Sequence, residues 1–313
     1  MKTVNATTVT TTMLLDKYKE TNQKPINSTK LHFTGVEGFD IYNITKPFEN
    51  EGKQIIAGRV EKRDEEWSTV IFFEQVNHAE YGKVNDYPTF KLQDPFVAFI
   101  HGELVLGGVE VFPHPDYPIE SGNLWYRTVF YKGKSIQTLE KFAEGPLGMK
   151  DIRFVELSDK KIGVFTRPQG EIGGRGQIGF FAMNDWSQFT EESILNAPLL
   201  KELFITEEWG GVNEAHLLEN GEIGVLGHIA SFDAEGNRHY YPFVFTFNHE
   251  TMEYHSIGLL FERADIQPGE TKRPDLVDVI FPGGIVLKED VAEVYVGVSD
   301  AEAQYVVIPN PFF

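Results

Sequence analysis

Apolar and polar positions follow a repeating pattern along the chain, in a unit of roughly 60 residues that occurs five times. Each copy starts with a polar or acidic head residue, followed by an apolar run, a turn and a second apolar run. Two apolar runs joined by a tight turn predict a β-hairpin in every copy. The five heads lie 51 to 64 residues apart and are Asn43, Asp94, Asp151, Glu214 and Asp278.

The repeat also predicts how these hairpins are arranged. In a hairpin, the first strand starts at the end where the second strand finishes, so each head lies beside the residue that closes its own unit. Repeats of this length built only from strands favour propeller blades around an axis. The sequence therefore predicts an all-β, five-bladed β-propeller. Its mouth would gather the five heads together with the closing residues Arg59, Arg167, His228 and Asp300.

The N-terminal segment has a different texture. Residues 11–19 combine candidate N-cap threonines with a short amphipathic pattern, which predicts a helix. A polar linker follows, and strand-like alternation starts at residue 31. We expect residues 1–30 to be a helix-and-linker appendage and residues 31–313 to form one propeller domain.

Composition excludes several classes of function. The 313 residues carry a net charge of −19 and contain no cysteine, so thiolate chemistry and disulfides are excluded. A surface of this sign repels nucleic acid and anionic lipid, and neither is expected as a partner. The chain has no apolar run long enough to span a membrane and no apolar core of signal-peptide length at its start. We expect a cytoplasmic protein.

Common catalytic and cofactor motifs are absent or out of context. The glycines at 174, 176 and 179 match the spacing of a dinucleotide loop, but the chain continues as a strand rather than a helix. This favours a loop near the mouth over a nucleotide site. Glu214 and His216 share one strand face and could hold a common ligand or ion. The sequence predicts no cofactor and no metal.

The acidic heads are the main candidates for chemistry. Asp94, Asp151 and Glu214 around one axis would repel each other and raise each other's pKa, which favours a role in catalysis or substrate binding. Asp278, closest to the chain closure, is interpreted as structural or as an acceptor for sugar hydroxyls.

Cationic and aromatic residues near the heads leave alternatives open. The guanidinium groups of Arg59, Arg153 and Arg167 would either neutralise the carboxylates or hold an anion such as phosphate. Trp209 precedes the fourth head and would either stack on a sugar face or pack in the core.

Two stretches resemble motifs of the five-bladed β-propeller glycosidases, most closely the mannoside-phosphorylase group and its uncharacterised relatives. The first comprises residues 93–96 (QDPF) and 102–106 (GELVL). The second comprises residues 279–284 (VIFPGG) and 295–300 (YVGVSD). The resemblance covers roughly residues 43–309. It implies a funnel that binds glycosides, with Asp94 as the proton donor.

Two departures from this family pattern bear on the reaction. Phe96 stands where the family has arginine, and the sequence shows no clear counterpart of the basic cluster of the phosphorylases. The leading hypothesis is therefore a glycoside hydrolase with Asp94 as general acid and Glu214 or Asp151 as general base or nucleophile. A mannoside-type phosphorylase that uses inorganic phosphate and a non-catalytic carbohydrate-binding propeller are the alternatives. The predicted substrate-binding residues are Asn43, Arg59, Arg153, Arg167, Trp209, His216, His228, Asp278 and Asp300.

Overall fold

The computed structural model describes residues 8–21 and 23–313. Part of the predicted appendage, residues 1–7 and 22, lies outside the described residues. The described chain is mostly β, and none of its helices is long and apolar enough to cross a membrane. The α-helices are α1 (Thr11–Thr21), α2 (Gly170–Gly173) and α3 (Glu191–Leu195), and 3-10 turns lie at Ile119–Ser121, Ile136–Thr138, Trp186–Gln188, Arg263–Asp265 and Pro274–Leu276.

Helix α1 confirms the prediction of an N-terminal helix. The Thr10 hydroxyl accepts a hydrogen bond from the Met13 N–H at 3.1 Å, which satisfies one of the free donors of the first turn. Leu14 and Tyr18, four residues apart on one face, are buried in the largest apolar cluster. The helix is thus packed onto the main body of the protein.

The strands form five consecutive units, called units 1 to 5 below, in which neighbouring strands are antiparallel except for one parallel pair in unit 1. A short strand, β1 (Asn27–Lys30), precedes them. Unit 1 contains β2 (His32–Thr34), β3 (Asp40–Tyr42), β4 (Phe48–Asn50), β5 (Lys53–Glu61), β6 (Thr69–Gln75) and β7 (Glu80–Lys83), and its parallel pair is β2 with β7. Unit 2 contains β8 (Gln93–Ile100), β9 (Glu103–Pro113), β10 (Leu124–Gly133) and β11 (Glu140–Glu144).

The remaining units follow the same plan. Unit 3 contains β12 (Arg153–Glu156), β13 (Ile162–Thr166) and β14 (Gly179–Met183). Unit 4 contains β15 (Trp209–Leu217), β16 (Ile223–Phe232), β17 (Arg238–Asn248) and β18 (Glu253–Leu259). Unit 5 contains β19 (Asp278–Leu287), β20 (Val291–Val298) and β21 (Glu302–Pro309), and two parallel residue pairs join β19 to β17.

Apolar clusters lie between successive units. Phe72 of unit 1 packs with Leu106 of unit 2 in one cluster, and Phe130 of unit 2 lies 5.0 Å from Phe154 of unit 3 in the next. Units 3, 4 and 5 share the largest cluster, and Tyr295 of unit 5 shares a cluster with residues of unit 1. Each unit therefore buries its faces against its neighbours, as the repeat predicts.

Strand β1 joins the sheet of unit 5. It pairs antiparallel with β21, with Asn27 opposite Val307. Residues 27–30, which the sequence assigns to the linker, therefore form the edge strand of that sheet. The Leu31 N–H also donates to the Ala303 carbonyl at 2.9 Å, which fixes the passage from unit 5 into unit 1.

Candidate active site

Three of the predicted heads share an unusual backbone conformation and are buried. Asn43, Asp94 and Asp151 have φ angles of 45°, 46° and 61°. Asparagine and aspartate tolerate this left-handed region better than other residues with a Cβ, which explains why these two residue types recur at this position. The Asn43 amide donates to Asp94 Oδ1 at 2.7 Å, so the first two heads are in direct contact.

Arg59 holds Asp94 from the other side. Its Nη1 donates to Asp94 Oδ1 at 2.9 Å, and its Nη2 donates to Glu61 at 2.7 Å. The guanidinium lies over the Tyr42 ring at 4.8 Å and is almost fully buried. Every polar side of Arg59 is therefore engaged by Asp94, Glu61 or the Ser68 hydroxyl.

The charge state of Asp94 follows from these contacts. Burial on its own would raise the pKa of the Asp94 carboxyl, but the positive charges of Arg59 and Lys150 outweigh it and leave the pKa below its ordinary value. Asp94 is thus ionised in the unliganded protein at neutral pH. To donate a proton it must first gain one, and a bound anion beside it would raise its pKa.

Asp151 lies among cations. Its carboxylate contacts Arg167 Nη1 at 3.1 Å and Arg153 Nη2 at 3.5 Å, and all three side chains are buried. Burial would raise the pKa of Asp151, but the charges of Arg167, Arg153 and Lys150 lower it to about 2. The carboxylate is therefore a weak base, held in place by two guanidinium groups.

Arg153 and Arg167 are also fixed by backbone carbonyls of unit 4. Arg153 Nε donates to the Asn213 carbonyl at 3.0 Å, and Arg167 Nε donates to the Gly210 carbonyl at 2.9 Å. The Arg153 guanidinium lies over the Phe96 ring at 4.2 Å. Phe96 thus supports an arginine from unit 3.

His228 is present in the same cluster as a neutral side chain. Its Nδ1 lies 2.8 Å from Asn213 Oδ1, and its ring stacks on Tyr240 at 5.6 Å between centroids. Burial lowers the pKa of His228 to about 3, although the nearby Asp151 acts in the opposite direction. An uncharged imidazole can orient a hydroxyl without adding a positive charge.

Two residues of this cluster were not predicted from the sequence. Lys150 makes no ion pair among the described residues, yet its charge acts on Asp94, Asp151 and His228. Asn213 is buried, and its amide nitrogen has no hydrogen-bond partner among the described side chains and backbone. The Asp94–Asp151 cluster, as the term is used below, consists of Asn43, Arg59, Asp94, Lys150, Asp151, Arg153, Arg167, Asn213 and His228.

The structure gives Glu214 a different set of contacts from Asp94 and Asp151. A β-bulge between Val212 and Glu214 leaves Asn213 as the unit 4 residue that meets the cluster. Glu214 pairs instead with Lys46 at 2.5 Å and accepts the Ile285 N–H at 2.7 Å. The repeat pattern selects Glu214 because it is acidic, whereas the strand register places the preceding residue, Asn213, at the cluster.

Glu214 lines a separate cavity of about 230 Å³, together with Lys46, Phe99 and His216. His216 Nε2 lies 3.3 Å from the Glu214 carboxylate, so the predicted shared strand face is confirmed. Burial would raise the pKa of Glu214, but Lys46 and His216 lower it to about 2. No group of three or more possible metal ligands occurs in the described part of the chain.

This ion pair predicts a pH dependence of stability. The Glu214 pKa is about 2 in the folded state and about 4.3 when unfolded, so the pair stabilises the fold above about pH 4.3 and its contribution is lost as the pH falls towards 2. Glu214→Gln is expected to cost on the order of 2–3 kcal/mol at pH 7 and much less at pH 2.5. Urea unfolding at both pH values measures this, and an equal cost at both would contradict it.

Asp278, the fifth predicted head, likewise makes its contacts outside the cluster. Its carboxylate contacts His239 Nδ1 at 2.5 Å and the Tyr241 hydroxyl at 2.7 Å. The strand irregularity in unit 5 falls at Gly283 instead. A Cβ on Gly283 would lie 1.5 Å from the Ile44 carbonyl oxygen, so a polar head cannot be accommodated there.

The last two predicted residues, Asp300 and Trp209, lie in different surroundings. Asp300, at φ 52°, is near enough to Arg59 and Asp94 to feel both charges, and burial raises the pKa of its carboxyl. Trp209 is only 6% exposed, donates its indole N–H to Tyr240 at 3.0 Å and is packed against Phe232. Trp209 therefore packs in the interior, as in the core-packing alternative, and its burial leaves little of the indole face open to a sugar.

Comparisons with known proteins identify the chain's relatives. The family model described as "Protein of unknown function (DUF1861)" matches residues 17–313. The curated proteins searched contain no significant match.

Solved structures are similar over nearly the whole chain. MPT-4, a mannose phosphorylase from Leishmania mexicana solved with a phosphate ion, is 34% identical, with a TM-score of 0.87 over 95% of this chain and 92% of that one. MPT-1, a GDP-Man-dependent mannosyltransferase from the same organism, is 31% identical, with a TM-score of 0.86 over 96% and 94%. A β-1,2-mannobiose phosphorylase from Listeria innocua is 15% identical with a TM-score of 0.62 over 92% and 94%, a likeness of fold alone. The chain therefore belongs to the family described as DUF1861 and is related to carbohydrate-active enzymes that include a mannose phosphorylase and a mannosyltransferase.

Proposed function

We propose that the protein is a mannoside phosphorylase, which transfers a mannosyl group between a glycoside and inorganic phosphate. The observation that carries this proposal is the surplus of cations in the Asp94–Asp151 cluster. Arg59 is matched by Asp94 and Glu61, but Arg153 and Arg167 share the single carboxylate of Asp151, and Lys150 makes no ion pair among the described residues. Such a site favours an additional anion. The relative of 34% identity is a phosphorylase solved with phosphate.

Hydrolysis, which the sequence favoured, has less support from the geometry. A hydrolase needs a second carboxylate as base or nucleophile. Asp151, with a pKa of about 2 and two guanidinium partners, is a poor base, and Glu214 lies outside the cluster. Phosphate needs no base to attack, because it is already an anion. Cations that hold it are therefore more useful than a second free carboxylate.

The proposed reaction assigns a role to each charged group. A phosphate oxygen forms a bond to the anomeric carbon while the bond from that carbon to the glycosidic oxygen breaks. The proton of Asp94 passes to the leaving oxygen, and the products are a mannosyl phosphate and a sugar with a free hydroxyl. Lys150, Arg153 and Arg167 hold the phosphate, while Asn43, His228 and Asp300 orient hydroxyls. Phosphate binding also raises the pKa of Asp94, which prepares it to act as an acid.

The same proposal includes a five-bladed propeller with the cluster at its axial mouth. The first strands of units 2 to 5 contact one another in order, β8 with β12, β12 with β15 and β15 with β19. Strands β20 and β21 of unit 5 contact β3 of unit 1. The apolar clusters follow the same order. This arrangement supports a closed ring in which Arg59, Asp94 and Asp151 approach one another from units 1, 2 and 3.

Lys150 offers a test of the phosphate site. Lys150→Ala is expected to raise the KM for phosphate about tenfold or more and to change the KM for the mannoside little, because the lysine is assigned to the anion. Lys150→Arg should restore much of the affinity, and Lys134→Ala, at an exposed lysine of unit 2, serves as the matched control. Equal effects on both KM values would contradict the assignment.

The function itself is tested by the choice of donor and acceptor. The protein is incubated with a panel of mannobioses with and without phosphate, and separately with GDP-mannose and mannose. Phosphate-dependent formation of a mannosyl phosphate supports the proposal. Transfer from GDP-mannose alone would instead assign the activity of the 31% identical relative. Release of free mannose without phosphate would assign hydrolysis.

A further inference from the structure

Trp67 combines an exposed side chain with a firmly anchored backbone. Its side chain is 55% exposed, and its indole makes neither an aromatic contact nor a hydrogen bond among the described residues. The preceding carbonyl of Glu66 accepts a hydrogen bond from the Gln93 amide at 2.8 Å. The side-chain hydroxyl of the following residue, Ser68, accepts a hydrogen bond from Arg59 Nε at 2.9 Å. An exposed indole held on both sides in this way is pre-organised for a ligand.

The segment that leads into unit 5 fixes the same loop from the opposite side. The Lys272 ammonium lies 3.1 Å from the Glu66 carboxylate and donates to the Glu65 carbonyl at 2.8 Å. Arg273 Nη1 lies 3.2 Å from Glu66. Lys272 is almost fully buried, so the loop is anchored by an interior cation and not only by surface pairs.

Two cavities flank Trp67. One of about 270 Å³ is lined by Trp67, Ser68, Lys91 and Gln93, and the other, of about 450 Å³, extends to Asn123 in the β9–β10 hairpin. Together they are in the size range of small-ligand pockets, about 300–1,000 Å³. Gln93 directly precedes Asp94, and Ser68 contacts the arginine that holds Asp94. Two residues that line the smaller cavity are therefore linked to the proposed proton donor, one through the chain and one through Arg59.

We infer that Trp67 forms a binding subsite for a sugar ring of the leaving group, beyond the bond that is cleaved. This inference rests on the proposed function. It specifies that the substrate is an oligosaccharide longer than the disaccharide that contains the cleaved bond. A flat indole face flanked by amide, hydroxyl, ammonium and carboxylate side chains fits a sugar, which has an apolar ring face and hydroxyl groups at its edge. The charged rim residues Glu66 and Lys91 exclude a purely apolar occupant.

The test compares three variants of the full-length chain, Trp67→Ala, Trp67→Phe and Phe99→Ala. Phe99 is 52% exposed but lines the Glu214 cavity, so it is a matched control for loss of an exposed aromatic side chain. Binding of a mannotriose and of methyl mannoside is measured by calorimetry without phosphate. Trp67→Ala is expected to weaken mannotriose binding about tenfold or more and to leave methyl mannoside binding unchanged. Trp67→Phe and Phe99→Ala should bind mannotriose within about threefold of the wild type.

The outcomes separate the subsite from the reaction. Unchanged mannotriose binding in Trp67→Ala would overturn the subsite, even if phosphate-dependent turnover is intact. Trp67-dependent mannotriose binding without any turnover would support the subsite while the proposed reaction fails. An equal loss for mannotriose and methyl mannoside would place Trp67 at the reacting sugar and overturn its assignment to the leaving group.

Discussion

Asp94→Asn is expected to lower kcat for mannosyl transfer by about 10²–10⁴-fold, the usual contribution of a general acid. Asparagine keeps the size of the side chain and an oxygen that can accept from Arg59 and Asn43, but it cannot donate a proton to the glycosidic oxygen. Initial rates with a saturating mannobiose and phosphate measure the effect. The KM for phosphate should not rise, because the cations that hold the anion remain and a carboxylate that repels it is removed.

A substrate with a better leaving group provides the control for this variant. A nitrophenyl mannoside needs little protonation as its bond breaks, so Asp94→Asn should retain much more of the wild-type rate with this substrate. The melting temperature should stay close to that of the wild type. If both substrates lose the same factor, Asp94 acts in binding or folding and its assignment as the acid is wrong.

Asp151→Ala is expected to lower the free energy of unfolding by about 3–5 kcal/mol, the range for removing one partner of a buried ion pair. The change leaves Arg153 and Arg167 buried without their carboxylate partner. Urea denaturation at pH 7 measures the loss. Asp159→Ala, which breaks an exposed pair with Lys161, should cost much less, because water screens that pair.

This comparison also tests the role of Asp151. A loss no greater than that of Asp159→Ala would mean that the two arginines are stable without a carboxylate. Asp151 could then act as a base, and hydrolysis would become as well supported as phosphorolysis. Added phosphate should partly restore the stability of Asp151→Ala, because the anion can replace the missing negative charge.

The strands and helix α1 can be predicted well from the sequence, because hairpins and short helices leave local signals. The start of α1 at Thr11 and the alternation in β5 and β16 are visible in the sequence. Strand β1 is different. Its four residues are polar and exposed or half-buried, so it has no alternating pattern, and only its distant partner β21 makes it a strand.

The site could be predicted only in part. Asn43, Asp94 and Asp151 follow from residue type, because each occupies a left-handed position that favours asparagine or aspartate. Glu214 and Asp278 were chosen by charge, but the bulge at Asn213 and the tight contact of Gly283 decide which residues face the cluster. The first head, Asn43, is an asparagine. An asparagine directly before Glu214 was therefore the signal that could have identified Asn213 as the unit 4 residue of the cluster.

Among the cations of the cluster, only Lys150 is not predicted from the sequence. Arg59 comes from unit 1, whereas Lys150, Arg153 and Arg167 come from the unit 3 region, and no linear motif joins them. The Arg153 guanidinium lies over the ring of Phe96, the residue that stands where the family pattern has an arginine. Which cation faces which carboxylate cannot be recognised from spacing, since only the packed fold brings the side chains together.

Phosphorus NMR of the protein with a mannobiose panel and inorganic phosphate distinguishes phosphorolysis from hydrolysis in one experiment. We expect the phosphate signal to decrease while a mannosyl phosphate signal grows, with equimolar release of mannose, and we expect Asp94→Asn nearly to abolish both changes. Release of two mannose molecules per mannobiose, at a rate independent of phosphate and with no new phosphorus signal, would contradict the proposed phosphorylase.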